Sequence, residues 1–381
     1  MRRVLPTLVA TLLTIDVMAT PARAATTQTA VLAACDDGFL YSDNVDVAQD
    51  ASGTVHGFAA YRHSESCGNR IHYFEGSGSS WSSQATDLFG TVVGVAQDGT
   101  GTYLLHIVEE IAGTPQLVVA KRGTGGQFSR LAVLGPAASA TTGEGKGDIV
   151  ARNGRWLAVF PVPGEAAGDT DLYTAGTLHH GLSTAKPFIT GSAADAFPAL
   201  TLGADGAVTA AWHRSTATDK TVYTARTTNG RRWTQRTVAS TGPYSQLKQV
   251  DVAVSTAGTF VAWAERLPSI RVQVADDLTG SWQVQAPPYE FTNGTGSWDP
   301  VLTTSGTKVA VGYSHGDEYP ADSAVIAQRP AAEGSWTTSR PVGEPSNIDS
   351  YAVVGFALTG TSLTAVSVVG DTVYALSGLT L

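Results

Sequence analysis

A glycine followed by a short apolar run recurs seven times at nearly constant spacing, and this repeat constrains the fold more than any other feature. Successive glycines are separated by 48, 53, 52, 52, 48 and 54 residues. They are Gly53, Gly101, Gly154, Gly206, Gly258, Gly306 and Gly360. Self-similarity at a period of this length indicates an array of one supersecondary unit rather than a set of unrelated domains.

Each repeat contains short segments with the apolar alternation that is typical of β-strands. One segment precedes the glycine, as VDVAVS does before Gly258, and a second follows it directly. A third begins 15 residues after Gly206, as TVYTART. The fourth starts at an aromatic residue in five repeats, namely Trp81, Phe128, Trp233, Trp282 and Trp336. We expect these aromatic side chains to pack between neighbouring units, with sugar-stacking platforms as the alternative.

Seven four-stranded units predict an all-β fold, a seven-bladed β-propeller with antiparallel blades. A four-stranded sheet cannot cover both of its own faces, whereas radial packing covers them and leaves only short edges. The last repeat ends one strand short, and the segment Thr27 to Ala34 precedes the first repeat without a partner. We therefore expect this N-terminal segment to complete the last blade. A solenoid is the alternative, but it would leave both chain ends unexplained.

The first 24 residues have the pattern of a secretory signal peptide. Arg2 and Arg3 precede an apolar run, and Ala22-Arg23-Ala24 forms a small-x-small cleavage site. The propeller is then a single domain over residues 25–381. No later run reaches about 18 apolar residues, so no transmembrane span is predicted. The sequence thus predicts a secreted protein, extracellular or associated with the cell envelope.

Charge and motifs exclude several classes of function. The formal net charge is −9, and loss of the signal, with three arginines and one aspartate, makes it two units more negative. An acidic surface argues against nucleic-acid binding. Zinc-ligand spacings, phosphate loops and Gly-x-Ser-x-Gly elbows are absent from the sequence. We therefore predict no metal and no cofactor, and we expect a monomer.

Two cysteines remain after the signal, Cys35 and Cys67. In an oxidising compartment a disulfide between them is the expected state, with two free buried thiols as the alternative. The bond would tie the segment that closes the ring to the first blade. By the chain-entropy estimate, such a bond contributes roughly 3 kcal/mol to stability.

Turns before the fourth strands carry a family resemblance. TTNGRRWT, DDLTGSWQ and AEGSWTT are similar to degenerate Asp-box turns of the sialidase-like (BNR-repeat) propellers, whose full form is Ser-x-Asp-x-Gly-x-Thr-Trp. Asp277 stands five residues before Trp282, as the motif requires, while the glycine is displaced to Gly280. The resemblance implies a propeller fold and, for an enzyme, sialidase-like glycosidase chemistry. The Arg-Ile-Pro motif of that family is absent, and Arg62 is the nearest first-blade counterpart.

Polar residues converge on one face of the predicted ring. In an antiparallel blade the end of the second strand lies beside the start of the innermost strand, so their flanking residues share a face. The candidate ligand-binding residues there are Arg62, His63, Glu109, His213, Arg214, Arg266, Trp298, His315 and Tyr319. The candidate catalytic carboxylates are Asp251, Asp299, Glu265 and Glu318.

Three functions remain open on this basis. A scaffold with one polar face and no complete catalytic motif favours a binding module for carbohydrate or for a protein surface. The alternative is a sialidase-like glycoside hydrolase or lyase, which would need a pair of carboxylates at a suitable separation. A structural role in the cell envelope is the third.

Overall fold

The computed structural model describes most of the predicted propeller. The described residues are 27–32, 40, 42–61, 70–111, 114–136, 146–165, 169–178, 182–241, 246–267, 269–285, 296–316, 323–329, 334–339 and 351–381. The predicted signal peptide and the predicted disulfide between Cys35 and Cys67 lie outside these residues and stay predictions. The helical content of the described residues is a single 3-10 turn, Ser42–Asn44.

The strands of the described residues form seven antiparallel sheets of four, as predicted. The N-terminal strand is β1 (Thr27–Leu32). Blade 1 contains β2 (Val45–Gln49), β3 (Val55–Ala60), β4 (Arg70–Ser77) and β5 (Ser80–Phe89). Blade 2 contains β6 (Thr91–Asp98), β7 (Gly101–Ile111), β8 (Thr114–Gly123) and β9 (Phe128–Pro136). Blade 3 contains β10 (Asp148–Arg152), β11 (Arg155–Pro163), β12 (Thr170–Gly176) and β13 (Leu182–Ile189).

The second half of the ring repeats this order. Blade 4 contains β14 (Ala194–Leu202), β15 (Val208–Ser215), β16 (Lys220–Thr227) and β17 (Thr234–Ser240). Blade 5 contains β18 (Gln246–Val254), β19 (Thr259–Leu267), β20 (Ser269–Asp276) and β21 (Gln283–Gln285). Blade 6 contains β22 (Gly296–Ser305), β23 (Lys308–Gly316), β24 (Ser323–Arg329) and β25 (Thr337–Ser339). Blade 7 contains β26 (Tyr351–Thr359), β27 (Ser362–Val369) and β28 (Thr372–Thr380), and takes its fourth strand from β1.

The chain ends close the ring as the sequence predicts. β1 pairs antiparallel with β28, and Thr27 lies opposite Ser377. The innermost strands contact one another in blade order, and β26 contacts β2. The structure is therefore a closed propeller and not a solenoid.

Burial along each strand follows from its place in the blade. The second strands have both faces covered, so β3 is buried at all six positions. The outermost strands face solvent, and β5 is mostly exposed. Because both faces of the middle strands lie in apolar surroundings, their sequences are continuous apolar runs rather than strict alternations.

Apolar clusters fill the seams, meaning the contacts between facing sheets of adjacent blades. Phe58 and Leu104 lie in the seam between blades 1 and 2, and Trp263 lies between blades 4 and 5. The five aromatic residues of the fourth repeat segments each pack, partly buried, in the seam with the preceding blade; they are Trp81, Phe128, Trp233, Trp282 and Trp336. Their packing between blades is thus confirmed.

Candidate functional site

The ring has two chemically different faces. On the loop face the second strands end and the innermost strands begin, because Gln246 pairs with Arg266 and Gly296 pairs with Gly316. On the turn face the first and second strands are joined by short turns such as the one between Ser305 and Lys308. The predicted candidate residues that the structure describes belong to the loop face or to the strands that lead to it.

The structure describes six of the predicted candidates with their side chains: Asp251, Asp299, Glu265, His213, Arg214 and His315. For Glu109, Arg266 and Trp298 it describes only the backbone, within strands β7, β19 and β22. Arg62, His63, Glu318 and Tyr319 lie outside the described residues. The roles of these residues stay predictions.

Three aspartates line the channel on the ring axis. Asp46, Asp148 and Asp251 lie on the innermost strands of blades 1, 3 and 5. The charges of Asp46 and Asp251 act on Asp148, and that of Asp251 acts on Asp46. Blade 2 has Gly94 at the corresponding position. A β-carbon there would lie 3.2 Å from Oδ1 of Asp148, so the small residue leaves room for that carboxyl group.

Each of these carboxyl groups joins its own blade to the next. Oδ1 of Asp46 accepts the backbone N–H of Val47 at 2.8 Å, and Oδ2 accepts that of Val95 at 2.6 Å. The contacts repeat at the other two aspartates: Asp148 to Ile149 and Leu200, and Asp251 to Val252 and Leu302. Because both oxygens bond to backbone donors, these aspartates stabilise the seams between blades 1 and 2, 3 and 4, and 5 and 6.

Burial in the channel favours the neutral form of all three carboxyl groups. It raises the pKa of Asp46 to about 7 and that of Asp251 to about 6, although the backbone donors pull both values down. Burial, followed by the nearby charge of Asp46, raises the pKa of Asp148 well above its ordinary value. The free-energy cost of transferring an ionised carboxylate out of water is larger here than the stabilisation that the backbone hydrogen bonds give it.

We expect the substitution Asp46→Asn to remove part of the pH dependence of stability. The ordinary pKa of this carboxyl is 3.8, whereas in the folded protein it rises to about 7. Between these values only the folded state holds the proton, so this contribution to stability is complete below the lower value and is lost as the pH rises through the higher one. At about 1.4 kcal/mol per unit, wild type should lose roughly 3 kcal/mol more than the variant from pH 5 to pH 8.

Urea unfolding at the two pH values measures this difference. Asp87→Asn, at an exposed position of β5, is the control and should change with pH as wild type does. Equal pH dependence in wild type and Asp46→Asn would show that the channel carboxyl is not the titrating group.

The loop-face end of blade 4 holds an arginine in a fixed position. Nε of Arg214 donates to Oδ1 of Asp195 at 2.9 Å, and Nη2 donates to Oδ2 at 2.8 Å. Asp195 is fully buried and also accepts the indole N–H of Trp212 at 2.9 Å, whereas the Arg214 side chain stays 25% exposed. A guanidinium held along one edge by a bidentate carboxylate can offer its other edge to a ligand without losing much side-chain entropy.

Electrostatics agree with this role for the pair. Burial raises the pKa of Asp195 in spite of the adjacent guanidinium, and the hydrogen bonds to Asp195 raise that of Arg214. The Tyr223 ring lies 5.9 Å from the guanidinium carbon. The guanidinium stays charged beside a partly exposed aromatic ring, a combination that suits polar ligands with an apolar face.

Three other predicted side chains on this face are buried. His213 is 5% exposed, and its ring lies 5.2 Å from that of Phe197. His315 is 5% exposed at the end of β23. Glu265 is 4% exposed; burial raises its pKa, while the charge of Arg271, its neighbour on β20, lowers it.

Strained backbone marks the mouth of the channel on the loop face. Phe197, Gln249 and Asp299 have φ values of 51°, 26° and 55°, and they lie in bulges at the starts of the innermost strands of blades 4, 5 and 6. A positive φ at a residue other than glycine costs roughly 1–3 kcal/mol and clusters at functional positions. Sequence reasoning selected Asp299 but missed the other two.

Within the described residues, no three histidine, cysteine or acidic side chains are grouped so that they could hold a metal ion. The same part of the chain contains no helix with the length and apolar character needed to cross a bilayer.

Comparison with known proteins supports the fold. No protein-family model and no curated protein matches the sequence. Among solved structures, a PL25 ulvan lyase matches with a TM-score of 0.58 and 9% identity, over 91% of this chain and 94% of that one. An α-L-arabinanase of Penicillium chrysogenum, complexed with arabinobiose, matches with a TM-score of 0.53 and 11% identity, over 76% and 93%.

A lectin shares the architecture as well. The lectin of Aleuria aurantia, in complex with Fucα1-6GlcNAc, matches with a TM-score of 0.50 and 11% identity, over 81% of this chain and 99% of that one. At such identities the likeness shows the fold alone. The propeller fold implied by the sialidase-like resemblance is confirmed, whereas the Asp-box assignment of the turns stays a prediction.

Proposed function

We propose that this protein is a secreted propeller that binds carbohydrate through its loop face, with a protein surface as the alternative ligand. The observation that carries the proposal is the Arg214–Asp195 pair, which holds a charged donor group at the loop face with part of the side chain exposed. Hydroxyl groups accept hydrogen bonds from such an arginine, and sugar faces pack against rings like that of Tyr223. A lectin and two carbohydrate-degrading enzymes share the fold, which adds support.

The channel carboxylates argue against catalysis at the ring axis. Asp251 was a candidate catalytic residue from sequence, but both of its oxygens accept backbone N–H groups. The protein thus engages one lone pair on each oxygen, and these hydrogen bonds account for the buried carboxyl group without a substrate. The channel aspartates are therefore better explained as links between blades.

A glycan array, followed by titration of each positive glycan, tests the binding function. We expect Arg214→Gln to weaken binding by about tenfold or more, because it removes a charge-assisted hydrogen bond. Arg130→Gln, at an exposed position of the outermost strand of blade 2, is the matched control and should bind as wild type does. Unchanged binding in Arg214→Gln would exclude this site, and capture of a protein without any glycan would favour the alternative ligand.

A glycoside hydrolase or lyase is the second candidate function, and the strained backbone at Asp299 favours it. If the protein has such an activity, Asp299→Asn should abolish turnover of the polysaccharide while leaving the unfolding temperature unchanged. Release of reducing ends and of unsaturated products from a polysaccharide panel measures this directly. Robust turnover by wild type combined with no binding on the array would overturn the proposal that the protein is a binding module.

A further inference from the structure

The loop-face end of blade 3 borders the Arg214–Asp195 pair. Strand β12 of blade 3 contacts strand β14 of blade 4. Asp171 is the second residue of β12, as Asp195 is of β14, and both strands begin at the loop face. The Trp212 ring, whose indole N–H bonds to Asp195, meets the Phe188 ring of blade 3 edge to face at 5.4 Å. The pair therefore lies at the seam between blades 3 and 4, and both blades determine the electrostatic surroundings of its guanidinium.

Asp171 brings a second carboxylate to this seam. Its charge acts on both Arg214 and Asp195. Oδ1 of Asp171 accepts the backbone N–H of Gly191 at 3.1 Å, in the segment that leads from β13 to β14. This hydrogen bond holds the carboxylate beside the connection to blade 4, and the residue stays partly exposed. The charged groups at the seam are thus one guanidinium and two carboxylates.

The flanking loops do not reverse this balance of charge. The loop before β12 contains Glu165 and Asp169, and residues 157–185 include no lysine or arginine. The loop that follows Arg214 contains Asp219 and Lys220, whose formal charges cancel. An anionic ligand at Arg214 would therefore meet more negative than positive charge, and juxtaposition of like charges is costly.

The guanidinium itself has limited capacity for another carboxylate. Asp195 occupies the edge formed by Nε and Nη2 of Arg214, so Nη1 is the nitrogen that these bonds leave for a ligand. A carboxylate is bound best by two parallel N–H groups, and one such edge is already used. A sugar hydroxyl needs only one N–H and brings no charge.

We propose that Asp171 makes the loop-face site selective for neutral sugar units over uronates. This inference rests on the proposed carbohydrate-binding function and names the class of glycan that the site takes. A neutral hydroxyl accepts a hydrogen bond from Arg214 without adding charge, whereas a uronate would bring a third carboxylate to one guanidinium. Asp171 acts through its charge and needs no contact with the sugar.

Asp171→Asn tests the inference on an array of neutral oligosaccharides, each printed beside its uronate counterpart. The substitution removes the charge, while the amide oxygen can still accept the N–H of Gly191. Wild type should bind the neutral member of a pair more tightly. In the variant, binding of uronates should strengthen by about threefold to tenfold, the size expected of one charge acting through solvent, with little change for neutral glycans.

Two further variants and a change of salt complete the experiment. Asp87→Asn removes a carboxylate from an exposed position of blade 1 and should keep the wild-type preference. Arg214→Gln should weaken binding of the neutral glycans, which assigns the measured binding to this site. The wild-type preference should narrow at about 0.5 M salt, because salt screens interactions between exposed charges.

The possible failures are distinguishable. Wild type that binds uronates as tightly as their neutral counterparts would overturn the selectivity but leave carbohydrate binding intact. Equal preferences in Asp171→Asn and Asp87→Asn would show that Asp171 is not its source. Absence of binding to every glycan on the array would overturn the proposed function, and this inference with it.

Discussion

Asp276→Leu should destabilise the protein by about 3–5 kcal/mol, the cost of leaving a buried cation without its partner. Nη2 of Arg329 donates to Oδ2 of Asp276 at 2.8 Å, and the two side chains are 1% and 4% exposed. The pair joins the third strands of blades 5 and 6. Nε and Nη1 of Arg329 have no hydrogen-bond partner among the described residues, so Asp276 is the principal compensation for its charge.

The double substitution Asp276→Leu with Arg329→Met tests whether the loss of stability comes from the unpaired charge or from the change in packing. The Arg329 guanidinium lies between aromatic rings, 5.9 Å from that of Phe260 and 5.6 Å from that of Trp336. An apolar side chain of similar length fits these surroundings, so the double variant should recover most of the lost stability. A double variant as unstable as Asp276→Leu alone would contradict this account.

An exposed ion pair provides the matched control for urea unfolding. Arg226 and Asp205 form an ion pair with side chains 48% and 58% exposed. Arg226→Met should cost less than about 1 kcal/mol, because solvent screens an exposed pair. Similar losses at the buried and exposed pairs would show that burial does not decide the effect.

His213→Phe should stabilise the protein, and more strongly in acid. Both ring nitrogens of His213 are buried without hydrogen-bond partners in the described part of the chain. Burial lowers the pKa of His213 from its ordinary 6.5 to about 4, and the charge of Lys220 acts in the same direction. Between these values the unfolded chain holds the proton and the folded protein does not, so stability falls as the pH drops from 6.5 towards 4.

The expected gain is about 1 kcal/mol at pH 8, from removal of unpaired polar atoms, and about 2 kcal/mol more at pH 5. The new ring would take the place of the imidazole against Phe197. Urea unfolding at the two pH values measures both parts. His213→Leu serves as a second variant if the larger ring overpacks the seam, and a gain that does not depend on pH would show that His213 is not the titrating group.

The repeat made the fold predictable, because seven glycine turns at nearly equal spacing allow few architectures. The closing strand was predictable because the last repeat is one strand short and the segment before the first repeat has no partner in its own repeat. The bulges at Phe197 and Gln249 were not predictable in the same way, since a bulge depends on register against the neighbouring strand. Pro198 and Pro300 were the available signal, because a proline has no N–H to donate and is confined within sheets to edge strands, strand starts and bulges.

The candidate site was less predictable because its contacts cross the seams. Asp251 was a candidate catalytic carboxylate from sequence, yet one of its two backbone partners, Leu302, is supplied by the next blade. Likewise, Asp276 and Arg329 lie in separate repeats, and nothing local in either segment indicates the pairing. Composition and motif spacing describe single blades, whereas hydrogen bonding between blades depends on how the ring closes.

The pairing of β1 with β28 has a consequence for biosynthesis. Ser377 bonds to Thr27 across 350 residues of chain, so the first strand leaves the ribosome long before its partner exists. An unpaired strand with an exposed apolar surface is a site of aggregation. The first three residues of β1, TQTAVL, are polar, and only Val31 and Leu32 become buried. The strand that closes the ring therefore exposes little apolar surface while the rest of the chain is being synthesised.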